Sequence, residues 1–217
     1  VFPRRSHQGL QGITQGQMQT DKVIALICAL RDALSARNQL EVVKLTVSRL
    51  SALTLDGRAT EPLRAPPPHF ESELALAISH IPDSLNAVAE ALSQARPYLD
   101  WRADIGGDDS YYEKGSDVGL SFREGNLVCS LVGPANSFVF SEDLFLSLFF
   151  LKSRTLYRDH VHQASEMYFN LSGPCGFRLG DQDWVDYAGD SVIWNPPLAP
   201  HATRVYEAPF LSAVSWG

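Results

Sequence analysis

The sequence predicts a mainly β protein, an antiparallel sandwich or barrel that follows an α-helical N-terminal extension. From about residue 105, short apolar runs alternate with Gly, Asp, Asn and Pro, which is typical of strands joined by tight turns. Before that point, apolar residues recur every three or four positions, the period of an amphipathic helix. We therefore divide the 217 residues into a helical region, 1–104, that packs on a β-barrel, 105–217.

Four helices are predicted in the N-terminal region, at 21–38, 40–53, 71–80 and 84–99. Thr20 or Asp21 is the predicted N-cap of the first helix, and Asn38 is its predicted end. Gly57 and the prolines 66–68 separate the second helix from the third, because neither residue type continues a helix well. A freestanding four-helix domain is the alternative to a helical layer on the barrel.

Nine apolar runs in the C-terminal region are predicted as strands. They are 118–122, 126–133, 144–152, 166–173, 175–180, 184–190, 191–196, 201–206 and 210–216. Turn residues lie between them, and no internal repeat is visible.

The composition excludes two classes of partner. The formal net charge of −7 and the lack of clustered Lys and Arg argue against nucleic-acid binding. No apolar run reaches the roughly 18 residues that a membrane span needs.

Cys28, Cys129 and Cys175 fit no disulfide or zinc pattern. Reduced thiols in the cytoplasm are expected, because no signal-peptide pattern is visible, although a chain that starts with Val can lack its true N-terminus.

The stretch HVHQASEMYFNLSG, residues 160–173, carries an unusual group of polar side chains. His160 and His162 are two positions apart and therefore share one face of a strand. A short turn after them can lead into the next strand, on which Glu166 and Tyr168 also share a face. These four side chains can converge on one interior.

His201 follows a proline-rich bend, so a closed barrel can bring a third imidazole to the same place. Three neutral imidazoles and one carboxylate suit a divalent transition metal, with two positions left for water or substrate. The donor set accepts Fe, Mn, Zn, Co or Ni and does not choose between them. We therefore predict one metal ion, held by His160, His162, Glu166 and His201.

At these residues the sequence resembles the cupin superfamily. Its first motif is a glycine, five residues, HxH, three or four residues, a glutamate, six residues and a second glycine. His160, His162, Glu166 and Gly173 match this spacing, whereas Arg154 stands where the leading glycine is expected.

The second cupin motif is matched more loosely. Gly189 begins it, and Pro196 and His201 follow, but NPPLA replaces the expected PxG and the interval is one residue longer. Val205 lies near the position of the closing asparagine. The resemblance covers roughly residues 105–217 and implies a double-stranded β-helix, or jelly-roll barrel, around a metal ion.

The longer stretch YRDHVHQASEMYFNLSG, with a helical region before it, resembles the cupin-type dimethylsulfoniopropionate (DMSP) lyases of marine bacteria. The resemblance implies that Tyr168 is the catalytic tyrosine and Tyr157 the second active-site tyrosine. Tyr157 differs in parity from the histidines unless the strand bends before Arg158. The implied partner is a small-molecule substrate, a sulfonium zwitterion. The sequence leaves the oligomeric state open, and a homodimer is compatible with it.

The implied reaction is a β-elimination that removes a proton α to a carboxylate, expels dimethyl sulfide and leaves acrylate. A metal on the carboxylate stabilises the charge that develops there. The sulfonium leaves as a neutral thioether, so a base is the remaining requirement. A free phenol has a pKa of about 10, but a nearby metal favours the phenolate, which suits Tyr168.

Four aromatic residues are candidates to hold the sulfonium by cation–π attraction: Trp184, Trp194, Tyr187 and Phe177.

Three other functions are compatible with the same fold, because cupins include enzymes and binding proteins. A metal-dependent dioxygenase would consume oxygen, whereas an elimination would not. A sugar isomerase or epimerase would need more basic and hydroxyl groups near the metal. A non-catalytic ligand-binding cupin would use the helical region as a partner surface, although residues 1–100 show no helix-turn-helix signature.

Overall fold

The computed structural model describes residues 8–37, 39–57, 64–103, 117–134 and 137–217. The helices are α1 (Gln8–Ser35), α2 (Glu41–Ala52), α3 (Glu71–Ser79), α4 (Asn86–Ala95) and α5 (Leu120–Gly125). The strands are β1 (Asn126–Gly133), β2 (Val139–Phe140), β3 (Phe145–Leu151), β4 (Leu156–His160), β5 (Glu166–Ser172), β6 (Cys175–Leu179), β7 (Val185–Tyr187), β8 (Val192–Asn195), β9 (His201–Val205) and β10 (Phe210–Trp216). Among the described helices, none has the length and apolar content that crossing a membrane requires.

The described strands form two sheets that take alternate stretches of the chain. One sheet has the order β2-β1-β3-β10-β5-β8, and the other has the order β4-β9-β6-β7. From β3 onwards the chain passes back and forth between the sheets, except where β6 pairs directly with β7. This interleaved order is that of a jelly-roll, or double-stranded β-helix. The predicted mainly β, cupin-type barrel with helices before it is therefore confirmed.

Strand β5 is buried along its whole length because different layers cover the two faces of its sheet. Met167, Phe169 and Leu171 belong to an apolar cluster that also contains residues of the helices, such as Leu26 in α1. Tyr168 belongs to a second cluster, inside the barrel. Alternation along the strand thus sends one set of side chains to the helical layer and the other set to the interior.

Helix α1 begins at Gln8, so the N-cap predicted at Thr20 or Asp21 is wrong. Thr20 lies within the helix, and its hydroxyl donates to the carbonyl of Gly16 at 3.0 Å. A threonine that bonds back to the preceding turn can remain inside a helix instead of capping it. The other three predicted helices agree with α2, α3 and α4 apart from their ends. The predicted helix end at Asn38 and the region boundary after residue 104 lie outside the described residues.

The segment 118–122, predicted as a strand, leads instead into helix α5. Gly119 adopts φ +92° and turns the chain just before the helix, a conformation that favours glycine. Phe122 then enters the barrel cluster and stacks on Tyr157, with ring centroids 3.8 Å apart. A short apolar pattern fits one helical turn as well as a strand, and the backbone freedom of the glycine permits the helical start.

Arg154 stands where the cupin motif expects glycine, and its backbone has φ +60°. This is the left-handed region, in which residues other than glycine are strained. The amide of Arg154 donates to the carbonyl of Tyr206 at 2.8 Å, and its guanidinium pairs with exposed Glu207 at 2.6 Å. The turn before β4 thus holds a left-handed backbone at a residue other than glycine.

Replacement of Arg154 tests this strain. Arg154→Gly is expected to keep the melting temperature within about 2 °C of the wild type, because relief of strain offsets the lost ion pair. Arg154→Val is expected to lower it by roughly 4 °C or more, since β-branched residues tolerate positive φ poorly. Thermal unfolding followed by circular dichroism measures both, with Glu207→Gln as the control for the ion pair. Equal melting temperatures for the Gly and Val variants would contradict the strain.

Candidate metal centre and active site

A β-bulge in β4 brings Tyr157 and His160 to the same interior face. Tyr157 lies opposite Thr203 of β9, and His160 lies opposite His201, so three steps along β4 match two along β9. One extra residue reverses the face that the following side chain takes. The sequence allowed Tyr157 to share the face of the histidines only if the strand bends, and this bulge is that bend. The ring of Tyr157 is buried and stacks on that of His160, with centroids 3.8 Å apart.

The three histidines of the site are oriented in the same way by the local backbone. In each, ring atom Nδ1 faces a main-chain carbonyl two residues away. The distances are 2.8 Å from His160 to Arg158, 3.0 Å from His162 to Ala164 and 2.8 Å from His201 to Ala199. A carbonyl can only accept, so Nδ1 carries a proton and donates it. The neutral ring then has its lone pair on Nε2, which is the atom available to a metal.

The imidazoles and Glu166 turn these remaining atoms towards one another. The ligand atoms of the three histidines are buried and lie within 4.8 Å of one another. Glu166 Oε2 lies 3.3 Å from Nε2 of His162 and of His201. Within the described residues, the buried Nε2 of His201 has no hydrogen-bond partner. Electron-rich atoms gathered away from water repel one another unless a cation lies among them. The donor set therefore fits a divalent metal ion, which His160, His162, Glu166 and His201 would hold.

Two residues that the sequence did not single out hold the carboxylate of Glu166. Trp216 Nε1 donates to Oε1 at 2.9 Å, and Asn195 Nδ2 donates to Oε2 at 2.9 Å. They lie 50 and 29 positions from Glu166 along the chain. No motif or spacing marks either residue, and strand pairing is the signal that reveals them.

Burial and neighbouring charges set the protonation of the site. Burial, together with the charge of the His201 imidazole, lowers the pKa of His160 to about 3. Burial acts on Glu166 in the opposite sense by favouring its neutral acid. When His162 and His201 are protonated at Nε2, however, their hydrogen bonds and positive charge hold the pKa of Glu166 well below its usual value, and a cation in the place of those protons would act in the same sense. At neutral pH the site therefore presents a neutral imidazole and an ionised carboxylate, the states that bind a metal.

Tyr168 follows Glu166 by two positions on β5 and shares its inward face. The side chain is only 2% exposed. Its ring packs edge-on against Phe149 at 5.9 Å and against Phe177 at 5.1 Å. Tyr187 lies behind Phe177, with ring centroids 6.0 Å apart. Of the four aromatic residues predicted to hold the sulfonium, Phe177 thus contacts Tyr168 and Tyr187 contacts Phe177.

The other two predicted aromatic residues lie outside the barrel. Trp184 packs under the guanidinium groups of Arg178 and Arg204, at 5.0 and 4.6 Å from its ring centre. Trp194 is 46% exposed, and its indole donates to Ser165 Oγ at 3.0 Å. Strand alternation turns Trp194 outwards because its neighbours in β8 face the interior. Neither indole is placed to contact a ligand inside the barrel.

Comparison with known proteins assigns the family. Residues 21–212 match the family model described as dimethylsulfoniopropionate lyase. The chain belongs to the DMSP lyase family. A curated member, the DMSP lyase DddQ of Ruegeria pomeroyi, is 27% identical over 130 residues, which make up 60% of this chain and 60% of the relative. The chain thus matches less than two thirds of that relative's length.

Solved structures of DMSP lyases share the fold of this chain. A chain from the crystal structures of the DMSP lyases RdDddP and RnDddQII superposes with a TM-score of 0.64 at 21% identity, over 91% of this chain and 93% of that one. The crystal structure of DddQ from R. pomeroyi gives a TM-score of 0.59 at 24% identity, over 87% and 90%. Coverage this large includes the helical region as well as the barrel.

Removal of a side chain that is predicted to bind the metal is expected to lower metal content. We expect purified His162→Ala and Glu166→Ala to lose most of their bound metal, because each change deletes one of four donors. His80→Ala is the matched control, since His80 is exposed just after α3. Inductively coupled plasma analysis of the three variants measures the effect. Full metal content in the first two variants would show that the ion, if bound, lies elsewhere.

The lowered pKa of His160 predicts how the metal-free protein responds to acid. The unfolded chain binds a proton at His160 near pH 6.5, whereas the folded chain binds it only near pH 3. Stability from this group is therefore full above about pH 6.5 and falls by up to about 1.4 kcal/mol per pH unit below it. Urea unfolding of chelator-treated protein from pH 7.5 to 4 measures the slope. His160→Gln is expected to flatten it, and an unchanged slope would contradict the assignment.

Proposed function

We propose that this protein is a metal-dependent carbon–sulfur lyase that cleaves DMSP to dimethyl sulfide and acrylate. The observation that carries the proposal is the buried group of three imidazoles with the Glu166 carboxylate 3.3 Å from two of them, in a chain of the DMSP lyase family. Tyr168 is buried two positions after Glu166 on β5. The bound ion would act as a Lewis acid towards the substrate carboxylate, which makes the α-proton more acidic. Fe, Mn, Zn, Co and Ni all suit this donor set.

Tyr168 is the proposed base. Its phenolate oxygen takes the α-proton, and the electrons of the broken C–H bond form the C=C bond of acrylate. The C–S bond breaks in the same elimination, and its electron pair leaves with sulfur as neutral dimethyl sulfide. Because the leaving group is neutral, no acid is needed, and proton transfer is the one step that a side chain must supply.

The surroundings of Tyr168 suit a sulfonium. Phe149, Phe177 and Phe210 contact its ring, so the interior there is apolar and excludes water. Aromatic faces attract a desolvated cation, which favours Phe177 over the outward-facing indoles. Tyr157 already has Phe122 and His160 stacked on its ring. Its part in the reaction is therefore assigned to its hydroxyl and not to its ring face.

The decisive assay measures headspace dimethyl sulfide and dissolved acrylate from the purified protein given DMSP. We expect equal amounts of the two products, the same rate with and without oxygen, and no product after chelation until a divalent metal is restored. Elimination consumes no oxygen, whereas the dioxygenase alternative does. A metal-loaded protein that yields neither product would refute the lyase.

Tyr168→Phe tests the base directly. The variant is expected to retain its metal but to lose activity by roughly 10²–10⁴-fold, the usual contribution of a positioned general base. Tyr206→Phe is the matched control, because that phenol bonds to Asp186 and Arg204 on the outer surface. Parallel measurements of metal content and DMSP turnover separate loss of the base from loss of the site. Wild-type turnover in Tyr168→Phe would rule out this mechanism while leaving the metal site intact.

A further inference from the structure

Glu166 lies on the middle strand of three, and the register of the sheet fixes its two neighbours. Strand β5 pairs with β10 on one side and with β8 on the other. Trp216 is the residue directly opposite Glu166 on β10, and Asn195 is the residue directly opposite on β8. A shift of either strand by one residue would turn these side chains to the other face of the sheet. Their contact with Glu166 is therefore built into the strand pairing.

Each carboxylate oxygen of Glu166 has a different set of neighbours. Oε1 accepts the indole N–H of Trp216 at 2.9 Å. Oε2 accepts an amide N–H of Asn195 at 2.9 Å and lies 3.3 Å from Nε2 of both His162 and His201. The contacts with Nε2 of His162 and His201 thus run through Oε2, while the indole of Trp216, whose ring lies 5.2 Å from that of His162, engages Oε1.

The orientation of the Asn195 side chain is set by its hydrogen bond to Glu166. The side chain is fully buried, and its Oδ1 has no hydrogen-bond partner within the described residues. A buried amide oxygen without a hydrogen-bond partner costs free energy, so filling space does not explain why an asparagine is at this position. Rotation of the amide would set Oδ1 against the carboxylate of Glu166, which is worse because both atoms only accept. The need to donate to Glu166 thus outweighs the need to satisfy Oδ1.

We propose that Trp216 and Asn195 are positioning residues that make Glu166 a one-oxygen metal ligand, bound through Oε2. Trp216 holds Oε1 away from the imidazoles and prevents the carboxylate from rotating to offer both oxygens. Asn195 holds Oε2 in the plane that faces His162 and His201. This inference rests on the metal site described under the proposed function. It goes further by assigning the denticity of one ligand and the residues that enforce it.

The test uses Co²⁺ alone as the probe, because its visible spectrum reports the number and arrangement of its ligands. Trp216→Phe removes one donor and keeps an aromatic ring, and Asn195→Leu removes the other and keeps a side chain that branches at Cγ. Each is expected to weaken Co²⁺ binding about 10–100-fold, the usual effect of removing a partner that orients a ligand, and to change the visible spectrum of the bound ion. Trp194→Phe is the matched control, since it removes an indole donor that bonds to Ser165 outside the barrel.

A double-mutant cycle separates positioning from general support of the fold. If both residues act through the carboxylate, Trp216→Phe should change Co²⁺ affinity less than about threefold in a Glu166→Gln background. An equal loss in both backgrounds, or wild-type affinity and spectrum in both single variants, would overturn the proposal. Asn195→Ser replaces Asn195→Leu if the latter is insoluble, and the Trp216 arm stands without either. Because Co²⁺ binding is measured without DMSP, a failure here is distinct from a failure of the lyase proposal.

Discussion

The burial of an ionised carboxylate among three imidazoles is the constraint on which this site depends. Glu166 is 3% exposed, and a charge removed from water must be compensated by hydrogen bonds or by an opposite charge. The fold meets this requirement in two ways. The histidines take their partners from carbonyls two residues away, so each short segment orients its own ring. Glu166 takes its partners from two other strands, so its orientation depends on the completed sheet.

The barrel topology brings these two kinds of support together at one place. His160 ends β4, Glu166 begins β5 and His201 begins β9. The direct pairing of His160 with His201 links two of the predicted metal ligands within the smaller sheet, while Glu166 belongs to the larger one. The two sheets that face each other across the interior therefore each contribute donors. Tyr168 lies two residues further along β5 on the same face, inside the apolar cluster of the barrel interior.

The sequence predicted those features that depend on local pattern. Alternation of side chains on a strand, together with motif spacing, was enough to select the histidines and Glu166, and short apolar runs were enough to indicate the barrel. Features that depend on a single backbone conformation were not predictable in the same way. The pattern of apolar and polar residues does not reveal such conformations. Examples are the bulge after Tyr157, the helical turn after Gly119 and the left-handed backbone of Arg154. Contacts set by strand register were also hidden, because Trp216 and Asn195 become neighbours of Glu166 only when β10 and β8 align.

The two sheets differ in what covers them, and this difference bears on how such a site could acquire new substrates. The helical layer covers the outer face of β5, so Glu166 and Tyr168 stand on a strand held from both sides. The edge strands β4 and β7 of the smaller sheet carry exposed residues such as Leu156, Arg158 and Asp186, so the outer face of this sheet meets solvent there. Changes on that sheet can be absorbed by water, whereas changes behind β5 must be absorbed by a close-packed core. Under the proposed mechanism, divergence in substrate preference would therefore accumulate on the smaller sheet, opposite Tyr168, while β5 would stay a fixed template.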